Sequence, residues 1–144
     1  MNRELCVVFR PDRTALAALP VRHVRETMRP LPLEPLAGAP GFVLGAAIVR
    51  GRPVPVIDAA KLVSGRPHEA TRWIAIEIGP RAAVIAVHEV IGVQPLTLVK
   101  DPAPLLARAA RGAIDELASL DGELLAVLRA GRLVDLAEER SHAR

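Results

Sequence analysis

The sequence predicts an all-β protein, a sandwich or small barrels, with two or three short helices. Three observations carry that expectation. Eight or nine short apolar runs of β type are separated by turn residues about every 8–12 positions. Asp121-Gly122 stands between Ala113–Leu120 and Glu123–Leu128, the dipeptide that a type I′ hairpin turn favours. Hydrophobic residues make up 51% of the chain but aromatics only 2% (Phe9, Phe42 and Trp73), so the core must be aliphatic. At 144 residues the chain suits a single domain, 1–144, that can bury a core without disulfides.

Leu5–Phe9 is a β-type run stopped by the turn pair Pro11-Asp12. Small and apolar residues resume over Thr14–Leu19, and Pro20 opens the next element. Apolar residues then recur at Val21, Val24 and Met28 between charged ones, which fits one or two amphipathic helical turns or an edge strand. Prolines 30, 32, 35 and 40, with Gly38 and Gly41, exclude a regular element from the following loop. Gly45–Val49 and Val54–Ile57 flank Arg50-Gly51-Arg52-Pro53, a hairpin whose glycine supplies positive φ. Pro53 and Pro55 lack a backbone N–H, which predicts that the second strand lies at a sheet edge or carries a bulge. Asp58 before Ala59–Ser64, with Gly65 behind, reads as an N-cap, a short helix and its stop.

The polar stretch Ser64–Thr71 is the expected division between two groups of strands, near 65–71. Trp73–Ile78 alternates, with Ile74, Ile76 and Ile78 on one face and Trp73, Ala75 and Glu77 on the other, which predicts a half-buried strand. Gly79-Pro80-Arg81 turns the chain into a second strand, Ala82–Val87, and Val87–Val93 continues in β fashion. Lys100–Pro104 is a proline-bearing break, and Leu105–Arg111 could form a helical turn. Gly131–Arg140 closes as a helix with Leu133, Val134, Leu136 and Ala137 apolar, and Ser141–Arg144 should fray.

Composition and motifs exclude several functions. The pI near 10.0 comes with a net charge of only +3, because 17 of the 19 basic residues are arginines. They are interleaved with acids, no run of five basic residues occurs, and rings to stack bases are scarce, so no nucleic-acid partner is expected. Cys6 is alone in an apolar run, which predicts a buried reduced thiol. No stretch approaches the roughly 18 apolar residues of a membrane span. The hydrophobic run of the N-terminal segment is also too short for a signal peptide. The expectation is a soluble, cytoplasmic protein without membrane insertion.

His68-Glu69 and His88-Glu89 lack the second histidine one turn on that a zinc helix needs, and histidines 23, 68, 88 and 142 are dispersed. Ser64, Ser119 and Ser141 stand in no nucleophile elbow, and Gly38, Gly41 and Gly45 make no phosphate loop. A His23–Glu26 dyad is most simply a pair of surface charges. No catalytic residue, cofactor or metal is expected, and the protein is read as a non-enzyme.

The order Gly45, small apolar run, Arg50-Gly51, Pro55-Val56-x-Asp58 resembles the signature of the CheW family of bacterial chemosensory arrays. Ile48 and Val49 stand where the family has Asn-Leu, Ala59 where it has Leu, and His88 where it has Asp, which marks a divergent member. The resemblance implies two small five-stranded SH3-like β-barrels packed side by side, with a C-terminal helix among the short ones. It also implies a non-enzymatic scaffold or adaptor. Its partners would be the cytoplasmic hairpin tip of a methyl-accepting chemoreceptor and the regulatory domain of a CheA-type histidine kinase. By the same resemblance, Arg50, Gly45, Gly51, Val24, Glu26 and Asp58 are the partner-binding candidates.

The residues themselves leave alternatives open. Arg50 either reaches a partner carboxylate or braces its own chain through Asp58 or Glu26. Gly45 either admits another backbone or is a plain strand glycine, and Val24 either faces a receptor or joins the core. The other functional readings are an adaptor of a gliding or twitching pathway, or a diverged barrel that binds or transforms a small molecule. The last would need a deep pocket lined by His88 and Glu89.

Overall fold

The computed structural model describes residues 2–100 and 109–139. Ten strands run in the order β1 (Asn2–Arg10), β2 (Ala17–Pro20), β3 (Val24–Met28), β4 (Val43–Val49), β5 (Arg52–Asp58), β6 (Arg72–Ile78), β7 (Arg81–Val87), β8 (Glu89–Lys100), β9 (Ile114–Leu120) and β10 (Glu123–Leu128). Two α-helices, α1 (Ala59–Ser64) and α2 (Ala130–Glu138), and two short 3₁₀ turns (Val21–His23 and Ala109–Gly112) complete the described chain. The expected break and helical turn over 100–111 and the fraying tail lie largely outside the described residues. Val21–Met28 is both things its spacing allowed, a 3₁₀ turn followed by an edge strand.

The strands form two five-stranded sheets. β1-β2-β10-β9-β8 is a closed barrel, sealed by the parallel pairing of β2 with β10. β3-β6-β7-β5-β4 is the second sheet, with β3 and β4 at its two ends. The expected division near 65–71 is therefore corrected. That connector joins β5 to β6, both in the second sheet, while the chain starts in the first barrel and returns to it at β8. Polar and turn-forming residues mark a loop, but they do not say whether it crosses between sheets.

Strand alternation distributes the apolar residues over three clusters. Cys6, Val8, Leu96, Leu98, Leu125 and Val127 fill the closed barrel. Ala47, Val49, Val54, Val56, Trp73, Ala75 and Val84 form the second sheet's own core. Between the two lies the largest cluster, where Val7, Phe9 and Leu19 meet Ile74, Ile76, Ile85 and the α2 residues Leu133, Val134 and Leu136. Successive residues of β1 thus face opposite cores. β6 does the same and is buried on both faces, which corrects its reading as half-buried: its second face turns into the second sheet's own core, with Glu77 at the rim.

The Arg50-Gly51 turn closes the β4–β5 hairpin, and Asp121-Gly122 closes β9–β10. All four residues have positive φ, as a type I′ turn requires. β5 is not an edge strand and its own backbone shows no bulge; the register shift lies on β4, between Val43 and Gly45. Its two prolines are tolerated because β7 pairs only with Val56–Asp58, leaving the proline-bearing half with one ladder neighbour.

The proline-rich loop is tied to the sheet at one point. Glu34 N donates to Ala46 O and Ala46 N to Glu34 O, both at 2.8 Å. A Cβ on Gly45 would fall 2.4 Å from Glu34 O, so only glycine admits this approach.

Candidate functional site

Sequence placed Arg50 at a hairpin tip, and the structure puts its side chain in solvent against β3. Arg50 Nε donates to Glu26 Oε2 at 2.7 Å, with the arginine side chain 58% exposed. This hydrogen bond raises the Arg50 pKa above the ordinary guanidinium value. Of the two intramolecular partners its chemistry allowed, Glu26 is the one used. Two further contacts frame the same end of the sheet: Arg25 pairs with Glu77 at 3.6 Å, and Arg52 Nη2 donates to Pro80 O at 2.7 Å. Beneath this rim Val49, Val54, Ala75 and Val84 enclose a cavity of about 50 Å³. Ligand pockets are commonly about 300–1,000 Å³, so this one holds no metabolite.

The candidates divide. Glu26, Arg50 and Gly51 come together at the rim, and Val24 lies on the same strand as Glu26, half-buried against the central core. Gly45 does not join them. It stands where β4 begins, and the backbone it admits is that of its own chain at Glu34. Asp58 is also elsewhere, 2% exposed, and its partner-facing assignment is corrected. Its Oδ1 accepts from Lys61 N at 3.2 Å, capping α1, and its Oδ2 accepts from His68 N at 3.4 Å. A carboxylate so placed ends a strand and starts a helix.

Two features escaped the sequence reading. The first is a pair of exposed apolar faces. On the second sheet, Leu44 and Ile48, 42% and 63% exposed, share the outer side of β4. Beside them Leu31, Pro32, Ala46, Ile48 and Pro53 line a groove of about 300 Å³. On the closed barrel, Leu5 and Val93, 48% and 53% exposed, lie on neighbouring strands. Alternation with buried partners was the available signal: Leu44 and Ile48 are out of phase with Ala47 and Val49. The second feature is the meeting of His68 Nε2 and His88 Nδ1 at 3.0 Å, which no sequence spacing announced. His88 and Glu89, with Thr71 and Arg72, line a wide, solvent-open depression in place of a deep pocket.

Cys6 is buried in the closed barrel, and desolvation pushes its thiol up to about 11. Such a thiol is a poor nucleophile at neutral pH. No helix among the described residues is long and apolar enough to cross a membrane.

The model of the CheW-like domain matches residues 5–138. No curated protein matches the sequence significantly. Among solved structures, the scaffolding protein TtCheW from Thermoanaerobacter tengcongensis superposes with a TM-score of 0.73 at 22% identity, over 89% of this chain and 90% of that one. At that identity the superposition speaks for the fold alone, a closed five-stranded barrel beside a second five-stranded sheet. The family match spans nearly the whole chain, and with it the chain belongs to the CheW-like domain family.

Proposed function

We propose that this protein is a non-enzymatic adaptor that couples methyl-accepting chemoreceptors to a CheA-type histidine kinase. The observation that carries the reading is the pair of exposed apolar faces, one on each sheet of a CheW-like fold. Contiguous exposed apolar surface marks sites of protein association, and an adaptor needs two of them. The solved relative TtCheW is itself described as a scaffolding protein. Arg50 and Gly51, with Glu26 and Val24 close by, form the polar end of the receptor-facing surface. The Arg50 guanidinium carries donors beyond the one engaged by Glu26, and these suit a partner's carboxylate or carbonyl oxygens.

Co-sedimentation tests this. Receptor-containing membranes, kinase and the full chain are mixed, and kinase in the pellet is measured with and without the chain. The wild-type chain should bring the kinase down, and Arg50→Glu should reduce that severalfold while leaving the circular dichroism spectrum unchanged. Failure of the wild type to recruit kinase refutes the adaptor reading. Equal recruitment by Arg50→Glu refutes the site alone.

A further inference from the structure

We propose that His68 and His88 form a two-nitrogen binding site for a divalent transition metal of tetragonal preference, Cu²⁺ above all. His68 sits in the connector after α1, and His88 in the one-residue link between β7 and β8, where the chain passes from the second sheet back to the closed barrel. Their facing nitrogens, His68 Nε2 and His88 Nδ1, are 3.0 Å apart, and the rings meet nearly edge to face with centroids 4.9 Å apart. One ring therefore donates its N–H to the lone pair of the other. Moving that proton to the donor ring's outward nitrogen, a tautomer change with no net proton gained or lost, leaves a lone pair on each facing nitrogen, and a tilt of the rings brings both onto one ion.

The donor set favours the metal. Imidazole nitrogens suit Cu²⁺, which stands highest in the affinity order of divalent first-row metals. With metal–nitrogen bonds of about 2.0–2.1 Å, nitrogens 3.0 Å apart can take adjacent positions on one ion.

The backbone of each histidine is pinned, which limits the ordering that binding must impose. His68 N donates to Asp58 Oδ2 at 3.4 Å, and His88 N donates to Arg10 O at 2.9 Å. The Thr71 hydroxyl donates to His88 O. Both rings are half-buried, and His88 opens onto the depression lined by Thr71, Arg72 and Glu89, so an ion can reach it from solvent. Arg72 is drawn toward Thr27 Oγ1 at 3.5 Å, on β3. No group of three or more His, Cys, Asp or Glu side chains converges among the described residues, so water fills the remaining positions. A bound ion would clip the α1–β6 connector to the start of β8, tying the second sheet to the strand that re-enters the first barrel.

The test is titration of the full-length chain with CuCl₂, read by electron paramagnetic resonance and by thermal unfolding. One equivalent should bind with hyperfine structure from two imidazole nitrogens and should raise the unfolding temperature. His68→Ala and His88→Gln should each weaken binding tenfold or more and leave a one-nitrogen spectrum, while His23→Ala should change neither readout. His68 lies outside every helix and strand, so His68→Ala decides the matter if His88→Gln proves unstable. Unchanged binding and spectrum in His68→Ala overturns the proposal, as does a wild-type spectrum without nitrogen coupling.

Discussion

Arg50 and Glu26 join two ends of a sheet that no backbone ladder joins among the described residues. β3 and β4 are the terminal strands of the second sheet, and the 2.7 Å Nε–Oε2 bond runs from the tip of the β4–β5 hairpin to β3. The same arginine is thus a seam and a candidate contact, and the two roles are separable.

Exchanging the charges separates them. Arg50→Glu alone sets two carboxylates face to face and should speed amide exchange along β3 and β4. Adding Glu26→Arg restores an opposite-charge pair and should return exchange to the wild-type rate. Kinase recruitment in the co-sedimentation assay should stay low in the double variant. Recovery of both readouts would mean that the arginine only braces the fold.

Gly45→Ala should be far more damaging than Gly51→Ala. A Cβ at Gly45 meets the Glu34 carbonyl at 2.4 Å, at φ 150°, whereas nothing lies within 4 Å of a Cβ at Gly51. Gly51, at φ 79°, carries only the left-handed penalty of about 1–2 kcal/mol. Gly45→Ala must in addition push the proline loop off β4, an overpacking cost of about 1–3 kcal/mol. Urea midpoints of the two variants check the order.

Asp58→Ala should destabilise the chain by about 1–3 kcal/mol, the range for losing a helix cap and leaving a buried donor unpaired. Kinase recruitment at a temperature where the variant is folded should be unchanged, because the carboxylate is 2% exposed.

How much of this was legible follows from where the information sits. The Arg50-Gly51 and Asp121-Gly122 turns, and the Asp58 cap with its Gly65 stop, were readable because each is specified within a few residues. The return of the chain to the first barrel was not, since β1 (Asn2–Arg10) must find β8 (Glu89–Lys100) across all of the second sheet and no local residue encodes that pairing. β6 looked half-buried because alternation shows two faces without saying that the weaker one, Trp73 and Ala75, meets a second core. At the site, Arg50 was visible from its turn, while the loop strand at Glu34 that explains Gly45 and the ring that meets His68 were visible only in three dimensions.

Acid should act through Asp12. Its Oδ1 accepts from Ala15 N at 2.7 Å and Thr14 N at 2.9 Å, and its Oδ2 accepts from Ser64 Oγ at 3.1 Å. These bonds, that from the Ala15 amide foremost, hold its carboxyl down to about 2, below the ordinary 3.8. A depressed carboxylate stabilises the fold above its unfolded value, and that stability is lost as pH falls from about 3.8 toward 2. Asp12→Asn should flatten the wild-type loss of stability across that window in chemical denaturation.

At the alkaline end Cys6 works in the opposite sense. Its thiol rises from 9.0 to about 11 in the fold, so the stability it contributes is full below 9.0 and declines as pH climbs toward 11. A disulfide reagent at pH 8 should label the native chain slowly and the urea-unfolded chain at once. Fast native labelling would place the thiol outside the barrel.

The first barrel is assembled from the two remote portions of the polypeptide, with the second sheet spliced between them. No uninterrupted stretch of gene encodes it. A piece ending in the 65–71 connector would keep the β1–β2 pair but strip it of β8 and β10, and a piece starting there would leave β8 without β1 and β10 without β2. Shuffling, fusion or tandem copying has to move the barrel and the second sheet as one cassette, and their relative pose travels with it.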